Sequence, residues 1–334
     1  MRAVVLVGGF GTRLRPLTAT IPKQMLPIVD RPMIERVLGE LARHGVDDAI
    51  LSLGYRPDAF IAAYPDDVCA GVRLHYAVEA EPLDTAGAVR FAADEGGVDS
   101  TFLVVNGDVL TDLDMTALWE LHRDRSAEAT IALTAVGDPS RYGVVPTAED
   151  AAVEAFIEKP PAEEAPSHWI NAGTYVLEPS VLERIPGGRK VSIERETFPA
   201  MVIDRTLFAL QSDAYWIDAG TPATYVRAQL DLIDGVRGSS ERAISSEAGV
   251  DPDAFVEHSV VMEGATVGAA ARVSGSVVLP GASIGSDAVI DDSIIGPGAS
   301  IGSGARLEAL TVVGARTAVE AGSKWREARI PAED

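Results

Sequence analysis

Residues 6–27, LVGGFGTRLRPLTATIPKQMLP, place a glycine-rich loop directly after the apolar run Ala3–Val7. A continuous apolar run of this kind is typical of a strand buried on both faces of a parallel sheet. Gly8, Gly9 and Gly11 leave backbone N–H groups that can cradle phosphate oxygens, and two arginines and a lysine follow them. The stretch therefore predicts an α/β protein whose first strand delivers a loop to a large anionic ligand.

The composition restricts the classes of protein to which the chain can belong. It has 334 residues, of which 47% are hydrophobic and 23% charged, as in ordinary globular proteins. The net charge of −22 argues against a nucleic-acid surface, and no apolar stretch approaches the roughly 20 residues that span a bilayer. Cys69 is the only cysteine, which excludes an internal disulfide and fits a reducing compartment. We therefore expect a cytoplasmic protein that binds neither nucleic acid nor membrane.

Short apolar runs alternate with helical patterns through the first two thirds of the chain. The predicted strands are AVVLV (3–7), AILSL (49–53), TFLVVN (101–106) and ATIALTAV (129–136). PMIERVLGELARHG (32–45) has apolar side chains at helical spacing, with Pro32 in its first turn and Gly45 at its end. Strands that alternate with helices predict a mostly parallel, Rossmann-like sheet with helices on both faces.

The last third of the chain repeats itself with a period of 17 to 18 residues, and the repeats start at Ser259, Ser276, Ser293 and Thr311. Within each repeat an aliphatic residue recurs about every six positions and is often followed by glycine. Three such hexads form one triangular coil with its aliphatic side chains inside. The pattern predicts a short C-terminal left-handed parallel β-helix of hexapeptide repeats, joined to the first part by a polar linker.

The opening loop resembles the signature of the sugar-phosphate nucleotidyltransferases, the nucleotide-sugar pyrophosphorylases. It has the form Gly-Gly-x-Gly-Thr-Arg-Leu-x-Pro-Leu-Thr, followed by Pro22-Lys23. Further family-like segments occur in the same order: EPLDTAGA (81–88), VVNGDV (104–109), RYGVV (141–145), FIEKP (156–160), INAGTYVL (170–177) and WIDAGTP (216–222). The resemblance implies a nucleotidyltransferase catalytic domain at 1–235. A linker at 236–250 and the β-helix domain at 251–327 complete the expected organisation.

Such enzymes join a sugar 1-phosphate to a nucleoside triphosphate and release pyrophosphate, without a protein nucleophile. Catalysis is therefore mostly positioning and charge neutralisation. Family likeness makes Arg13, Lys23 and Asp108 catalytic: Arg13 would contact the triphosphate and Lys23 the reacting centre. Asp108 and Asp218 would hold Mg²⁺, which prefers hard carboxylate ligands. An aspartate that follows a strand is also commonly a turn or helix cap, so the residues alone leave that reading open.

The resemblance also implies two groups of substrate contacts. The nucleotide contacts are Gly8, Gly9, Gly11, Thr12, Asp84, Thr85 and Gly87. The sugar-phosphate contacts are Gly143, Glu158, Lys159 and Asn171. Lys159 would neutralise the sugar phosphate, Glu158 would accept from sugar hydroxyls, and Asn171 offers both a donor and an acceptor. A solvated surface pair is the alternative for Glu158 and Lys159.

Segments 7–18 and 81–88 are most similar to the guanylyl branch, which favours GTP and mannose 1-phosphate as substrates. Asp84, where that branch has glycine, could accept from the guanine N1–H and amino group. Gln24, where it has proline, matches the thymidylyl branch and keeps dTTP with glucose 1-phosphate as the alternative. A regulatory subunit that only binds nucleotide sugar is a further alternative, although Arg13, Lys23, Asp108 and Asp218 are all present.

The predicted β-helix also suggests self-association. Stacked coils have a flat face and strand edges that can pair with other chains. We therefore expect a homo-oligomer that assembles through the β-helix.

Overall fold

Residues 1–332, which a computed structural model describes, divide into two units of different construction. The sheet unit consists of Met1–Gly9 and Glu35–Trp216. The β-helix unit consists of Phe10–Ile34 and the chain from Ile217 onward. The signature loop is thus divided, because its first two glycines belong to the sheet unit while Arg13 and Lys23 belong to the β-helix unit.

The strands up to residue 218 are short except where they form the sheet centre. In chain order they are β1 (Arg2–Leu6), β2 (Pro27–Ile28), β3 (Arg31–Pro32), β4 (Asp48–Leu53), β5 (Val68–Cys69), β6 (Val72–Val78), β7 (Phe102–Asn106), β8 (Val109–Thr111), β9 (Ala129–Ala135), β10 (Gly143–Val144), β11 (Ile157–Glu158), β12 (Trp169–Leu177), β13 (Leu207–Ser212) and β14 (Trp216–Asp218). The four strands predicted from apolar runs are confirmed as β1, β4, β7 and β9, with ends that differ by one residue.

The helices vary from single turns to about three turns. The α-helices are α1 (Met33–Arg43), α2 (Pro57–Ala63), α3 (Asp84–Glu95), α4 (Met115–Arg125), α5 (Ser180–Arg184), α6 (Phe198–Asp204) and α7 (Pro222–Ile233). Short 3₁₀ turns occupy Thr12–Leu14, Leu17–Ala19, Lys23–Met25 and Ala162–Glu164, and a π-helical turn occupies Ile193–Thr197. The predicted first helix begins one residue later than expected, because Pro32 pairs with Pro27 in the β2–β3 hairpin.

The α/β prediction is confirmed, and the sheet of the sheet unit is mixed. Its strand order is β11-β10-β12-β7-β1-β4-β6-β5, and β9 pairs with both β12 and β13. Strands β7, β1, β4 and β6 are parallel, whereas β12 is antiparallel to both β7 and β9. An apolar run indicates that a strand is buried but not in which direction it runs, so the antiparallel direction of β12 is seen only in the structure.

The core of the sheet unit explains why these segments form strands. Its buried cluster includes Val4, Ile50, Phe102, Val104 and Ile131 from the central strands. Helix α3 packs on β1, β4 and β6, and α4 packs on β9, β12 and β13. The parallel strands all end at one edge, so the loops after β1, β4, β6 and β7 lie at the carboxyl edge of the sheet.

The β-helix is confirmed as three stacks of short parallel strands. Its strands are β15 (Gly249–Val250), β16 (Phe255–Glu257), β17 (Val260–Val261), β18 (Thr266–Val267), β19 (Arg272–Ser274), β20 (Val277–Val278), β21 (Ser283–Ile284), β22 (Val289–Asp291), β23 (Ile294–Ile295), β24 (Ser300–Ile301), β25 (Arg306–Glu308), β26 (Val312–Val313), β27 (Ala318–Val319), β28 (Lys324–Arg326) and β29 (Arg329–Ile330). The stacks are β15-β18-β21-β24-β27, β16-β19-β22-β25-β28 and β17-β20-β23-β26-β29.

The repeat period is visible in both the core and the hydrogen bonds. The hexad aliphatics lie inside, as Val261, Val278, Ile295 and Val313 do in one stack. The residue that begins each repeat is also buried: Ser276 N–H donates to Ser259 Oγ and Ser293 N–H to Ser276 Oγ, both at 3.0 Å. These serines therefore form a ladder of hydrogen bonds between successive coils.

The β-helix also extends past the expected limits of 251–327. Ile244 forms a bridge with Val261, and Gly249–Val250 pairs with β18, so part of the expected linker lies in the first coil. At the other end, Ile330 packs in the inner core. The polar residues between these apolar positions concealed the hexad pattern in the sequence. Up to residue 332, no helix is both long and apolar enough to span a membrane.

Candidate active site

The first glycines of the signature follow the carboxyl end of β1, which lies between β4 and β7. A Cβ on Gly8 would lie 3.4 Å from Gly54 N and 3.5 Å from Glu79 Oε1. A Cβ on Gly54 would in turn lie 3.1 Å from Gly8 O. Gly8 and Gly54 therefore let the loops after β1 and β4 approach each other closely, at the edge where open α/β sheets bind ligands.

Gly11 shapes the second part of the signature, within the β-helix unit. Its φ is +62°, a conformation that costs other residues about 1–2 kcal/mol. A Cβ there would lie 3.1 Å from Thr18 Cγ2 and 3.2 Å from Lys23 Cβ. Thr18 Oγ1 donates to Gly11 O at 2.7 Å. Gly11 therefore starts the Thr12–Leu14 turn and packs it directly on the stem of Lys23.

Arg13 and Asp218 lie close to each other in the same unit. Arg13 Nη2 is 3.9 Å from Asp218 Oδ2, and the Arg13 side chain is 62% exposed. Asp218 Oδ1 accepts from Gly220 N at 2.8 Å, which orients the carboxylate just before α7. A solvent-accessible pair at this distance contributes little to stability, about 0–1 kcal/mol.

Helix α7 holds the hairpin that follows Lys23. Pro27 O accepts from Gln229 Nε2 at 2.9 Å and also from the Tyr225 hydroxyl. Val29 N–H, at a φ of +59°, donates to Gln229 Oε1 at 2.6 Å. Tyr225 and Gln229 are fully buried. The predicted residues Gly11, Thr12, Arg13 and Lys23 thus lie in the segment Phe10–Ile34, and Asp218 lies just before α7 in the same β-helix unit.

Asp108 is at the end of β7, as the sequence predicted. Gly107 N–H donates to Leu6 O at 2.9 Å, which joins the loop after β7 to the end of β1. Asp108 is only 8% exposed. Asp108 is thus a largely buried carboxylate at the carboxyl edge of the sheet, the edge at which open α/β sheets bind ligands.

The predicted base-binding residues begin α3. Asp84 is exposed, has a φ of +61°, and accepts from Thr85 N–H at 2.8 Å. Thr85 Oγ1 donates to Glu194 Oε2 at 2.7 Å and accepts from Ile193 N–H at 2.9 Å. A Cβ on Gly87 would lie 3.1 Å from Arg189 O. The segment is therefore fastened to residues 189–194.

The amides of this helix start are already used inside the protein. The N–H groups of Ala86 and Gly87 both donate to Val191 O, at 2.9 and 3.2 Å. Val191 N–H donates back to Leu83 O at 2.9 Å. Gly87 is buried, and because it has no side chain the backbone of residues 189–191 can approach it closely.

Glu79 is a buried carboxylate that the sequence analysis missed. It follows β6 directly and is 9% exposed. Its Oε1 accepts from Ser52 Oγ and its Oε2 from Leu83 N–H, both at 2.9 Å. Glu79 therefore ties the ends of β4 and β6 to the segment that begins α3. No strand was predicted from the sequence at 72–78, so there was no signal that Glu79 follows a strand.

Gly143, Glu158 and Lys159 come together on the paired strands β10 and β11. Gly143 is opposite Glu158, and a Cβ on Gly143 would lie 3.2 Å from Glu158 Oε2 and 2.6 Å from the Phe156 ring. Lys159 Nζ is 2.9 Å from Glu158 Oε1. Lys159 has a φ of +51°, and its N–H donates to Tyr142 O at 3.0 Å.

Asn171 lies at a β-bulge in β12, where its side chain has internal partners. Its Nδ2 donates to the Tyr175 hydroxyl at 2.9 Å, and its Oδ1 accepts from Gly173 N–H at 3.0 Å. Burial raises the pKa of Tyr175 far above its usual value, and the carboxylates of Glu194 and Glu158 add to the rise. The Tyr175 hydroxyl therefore holds the Asn171 side chain in place.

Two half-buried aromatic residues beside this group were also missed. The Tyr142 and Trp216 rings meet edge to face with centroids 5.6 Å apart. Trp216 Nε1 donates to Ala172 O at 2.9 Å. Aromatic faces with a polar handle commonly pack against sugar rings, since one end is apolar and the other is hydrogen-bonded. Both lie within motifs that the sequence analysis quoted, RYGVV and WIDAGTP, and that membership was a usable signal.

Two of the predicted site residues, Asp108 and Asp218, have carboxylate groups that can serve as ligands to a divalent metal ion. Between residues 1 and 332, no group of three or more His, Cys, Asp and Glu side chains is arranged to hold a metal. Mg²⁺ commonly takes one or two protein carboxylates and completes its shell with phosphate and water. Asp108 in the sheet unit and Asp218 in the β-helix unit are each a hard oxygen donor of the kind that Mg²⁺ prefers.

The profile of the nucleotidyl transferase family matches residues 2–235. The chain belongs to the nucleotidyl transferase family. A second profile, described as the GMPPB C-terminal domain, matches residues 239–331. The predicted recognition is thereby confirmed over both parts of the chain. Nucleotidyl transferases of this family generally use a divalent metal ion.

Curated relatives and a solved structure of nucleotidyl transferases resemble the chain. A mannose-1-phosphate guanylyltransferase of Mycobacterium tuberculosis is 41% identical over 281 residues, 81% of this chain and 77% of that protein. A mannose-1-phosphate guanyltransferase of Aspergillus fumigatus is 43% identical over 232 residues, 68% of this chain and 62% of that protein. HddC from Yersinia pseudotuberculosis, crystallised with GMP-PN, is 33% identical with a TM-score of 0.59, and the match covers 68% of this chain and 97% of that chain.

Proposed function

We propose that this protein transfers a guanylyl group from GTP to mannose 1-phosphate, yielding GDP-mannose and pyrophosphate. Family membership supports the reaction class, and relatives named mannose-1-phosphate guanylyltransferase at 41% identity support the substrate pair. The observation that carries the proposal is the arrangement in the β-helix unit, where Gly11 packs on Lys23 and Arg13 lies 3.9 Å from Asp218.

The chemistry requires positioning and charge neutralisation. A phosphate oxygen of mannose 1-phosphate attacks the α-phosphorus of GTP in line, and the bond to the β-phosphate oxygen breaks as pyrophosphate leaves. Arg13 neutralises charge on the departing pyrophosphate, and its planar fork suits two phosphate oxygens. Lys23 binds phosphate oxygens near the α-phosphorus. Gly8, Gly9, Gly11 and Thr12 supply backbone donors to the triphosphate.

Mg²⁺ is the proposed metal, with Asp108 and Asp218 as its protein ligands. When bound, it neutralises phosphate charge and orients the triphosphate. Asp108 is suited to this by burial, and Asp218 by the Gly220 N–H bond that fixes its carboxylate at 2.8 Å.

The remaining predicted residues divide between base and sugar. Thr85, Gly87 and Asp84 shape the base site, and Asp84 retains an exposed oxygen that can accept from guanine. Lys159 binds the sugar phosphate, while Glu158 accepts from sugar hydroxyls. Gly143 leaves room for the sugar, and Asn171 contributes through the donor and acceptor capacity it has left after its two internal bonds.

The decisive experiment is pyrophosphate release with Mg²⁺, in which GTP, dTTP, UTP and ATP are each combined with mannose 1-phosphate and glucose 1-phosphate. Turnover with GTP and mannose 1-phosphate at least tenfold above every other pair is expected. A preference for dTTP with glucose 1-phosphate would replace the proposed substrates with the thymidylyl pair. Absence of turnover with every pair, from folded protein, would replace the enzyme with a regulatory subunit.

The proposed setting is a cytoplasmic homo-oligomer. Cys69 is buried, and burial, assisted by the Glu35 carboxylate, raises the pKa of its thiol to about 11. Such a thiol is neither a nucleophile nor easily oxidised, which suits a reducing compartment.

A further inference from the structure

One face of the β-helix is apolar on its outside as well as its inside. In the stack β17-β20-β23-β26-β29, the inward side chains belong to the core, so their strand neighbours point outward. These outward residues are Val260, Val277, Ile294 and Val312, and each is at most 1% exposed. This face, named here the covered face, is therefore buried under other residues.

The other two faces of the β-helix differ from it. The corresponding outward positions are Thr266, Ser283, Ser300 and Ala318 in one stack and Arg272, Val289, Arg306 and Lys324 in the other. None of these eight is buried, and most are exposed. In an isolated β-helix this apolar outer face would be exposed to water. Its burial indicates that other parts of the chain pack on it.

Part of what it receives is the signature segment Phe10–Ile34. A Cβ on Gly314 would lie 3.1 Å from Pro16 Cβ and 3.3 Å from Pro16 Cγ, so Pro16 rests on this coil. A cavity of about 530 Å³ is lined by residues of the same segment, including Ile21 and Met25. Val260 of the covered face and Met262, which follows β17, also line it. Helix α7, which holds the hairpin at Pro27 and Val29, packs against β17.

The repeat itself is modified at the contact. The fourth residue of each repeat is Met262, Leu279, Gly296 and Gly314 in turn. Met262 and Leu279 are large and buried, and the two later coils have glycine instead. At Gly296 a Cβ would lie 2.5 Å from Val313 O, in the next coil, so that glycine serves the stacking of coils. At Gly314 the nearest atom is Pro16 Cβ, so this glycine serves the signature segment.

We propose that the covered face of the β-helix positions the catalytic cations, and that Gly314 is the positioning residue at its contact with Pro16. Arg13 is three residues before Pro16, and the intervening backbone is tied by the Leu14 N–H to Gly11 O bond of 3.0 Å. A displacement of Pro16 therefore moves the turn that carries Arg13. Displacements near 1 Å of a positioning group can cost about 10²-fold in rate.

The test uses Gly314→Ala and Gly314→Leu in the full chain, with Ala318→Leu as the matched control. Ala318 is in the same coil but exposed on another face. We expect Gly314→Leu to lower kcat at least tenfold, Gly314→Ala to lie between it and the unsubstituted protein, and Ala318→Leu to stay within twofold. The KM for mannose 1-phosphate should change less than twofold, because the sugar residues belong to the sheet unit.

Hydrogen exchange supplies a readout that does not depend on the proposed reaction. The kinetic arm rests on the proposed function, whereas amide exchange in peptides covering residues 10–34 does not. Faster exchange there in Gly314→Leu, but not in Ala318→Leu, is expected. Unchanged kcat and unchanged exchange in Gly314→Leu, or equal losses in both leucine variants, would overturn the proposal. If Gly314→Leu does not fold, Gly314→Ala decides, since its single methyl group must still displace Pro16.

Discussion

At the scale of single residues, Lys159 combines an unfavourable backbone conformation with a charged side chain. Its φ of +51° costs about 1–2 kcal/mol for a residue other than glycine. The N–H bond to Tyr142 O at 3.0 Å and the ion pair with Glu158 at 2.9 Å retain the residue in this position. Backbone strain of this kind is commonly found at binding sites, where it fixes a group before the ligand arrives.

Lys159→Gln tests that role. The variant should raise the KM for mannose 1-phosphate about 10- to 100-fold, as expected for the loss of a hydrogen bond to a charged group. The KM for GTP should change less than twofold. Steady-state kinetics with each substrate varied in turn measures both constants, and Arg123→Gln, at an exposed cation on α4, is the control. An equal rise in both KM values would contradict a sugar-specific role.

Arg13 is the second residue whose position predicts a measurable effect. Its exposed side chain contributes little to folding, so substitution should leave the free energy of unfolding almost unchanged. Arg13→Ala should lower kcat about 10²- to 10³-fold through the loss of a preorganised donor. Arg13→Lys should recover only part of the rate, because an ammonium group cannot bind two phosphate oxygens in one plane. Arg43→Ala, at an exposed helix end, is the control, and full activity of Arg13→Lys would argue against the forked contact.

At the scale of elements, Glu79 joins three pieces of the sheet unit. It links the ends of β4 and β6 to the start of α3 through Ser52 and Leu83. Helix α3 is fastened again at Val191, whose backbone exchanges hydrogen bonds with Leu83, Ala86 and Gly87. The start of α3, which carries the predicted base-binding residues, is therefore held at two places, by Glu79 and by the backbone of Val191.

Removal of the Glu79 carboxylate should loosen this segment. Glu79→Ala leaves Leu83 N–H without its acceptor and Ser52 Oγ with only the longer bond to Ala88 O, at a cost of about 1–3 kcal/mol in the free energy of unfolding. Glu79→Gln should cost less, because its carbonyl can accept from Leu83 N–H and its amide can donate to Ser52 Oγ. Urea unfolding and the KM for GTP are the measurements. Glu81→Ala, two residues on and exposed, is the control, and equal effects in the two alanine variants would exclude the proposed link.

A second element-level contact predicts a dependence of stability on pH. Glu128, just before β9, accepts from Arg184 Nε and Nη2, both at 2.7 Å, and Arg184 ends α5. Burial works to raise the pKa of Glu128, but the bonds from Arg184, Thr206 and Ser180 lower it below the usual 4.5. A lowered pKa in the folded state means that the stabilisation is present above pH 4.5 and is lost as the pH falls through the folded value.

Glu128→Gln should therefore reduce stability most at neutral pH. We expect the difference in free energy of unfolding from the unsubstituted protein to be about 1–3 kcal/mol at pH 7 and to shrink below about pH 4. Urea unfolding at several pH values measures it. A difference that is constant from pH 7 to pH 3 would show that the carboxylate charge is not the source.

At the scale of the whole molecule, the β-helix has surfaces left over for association. Its covered face is occupied within the chain, so an oligomer that assembles through the β-helix would use the other faces or the ends. Phe255 and Trp325 are 51% and 42% exposed and lie in the first and last strands of the same stack. Large exposed aromatic side chains at such positions are typical of interfaces.

Light scattering should give a solution mass that is a multiple of the monomer mass. Phe255→Ser combined with Trp325→Ser should shift that mass toward the monomer without a change in circular dichroism. Ser300→Ala, on another exposed position of the β-helix, is the control. A monomer mass for the unsubstituted protein at micromolar concentration would remove the proposed oligomer.

Much of this architecture could be predicted because it depends on local patterns. Apolar runs located β1, β4, β7 and β9, and the 17-residue period located the coils, since strand burial and hexad stacking repeat in sequence as they do in space. Asp108 was found because it follows a predicted strand within a family-like segment. Glu79 was missed because the strand before it was not predicted. Tyr142 and Trp216 are 74 residues apart in the chain, so no local pattern could bring their rings together.

The sequence by itself thus determined the elements, the family and the residue types of the site, because each is set by short-range spacing and by the chemistry of single side chains. Only the tertiary structure decided the direction of β12, the burial of Gly87 under residues 189–191, and the placement of the signature segment on the covered face. These features depend on contacts between residues far apart in the chain, such as Pro16 and Gly314. Such contacts require packed surfaces of complementary shape, and those surfaces form only when the chain folds.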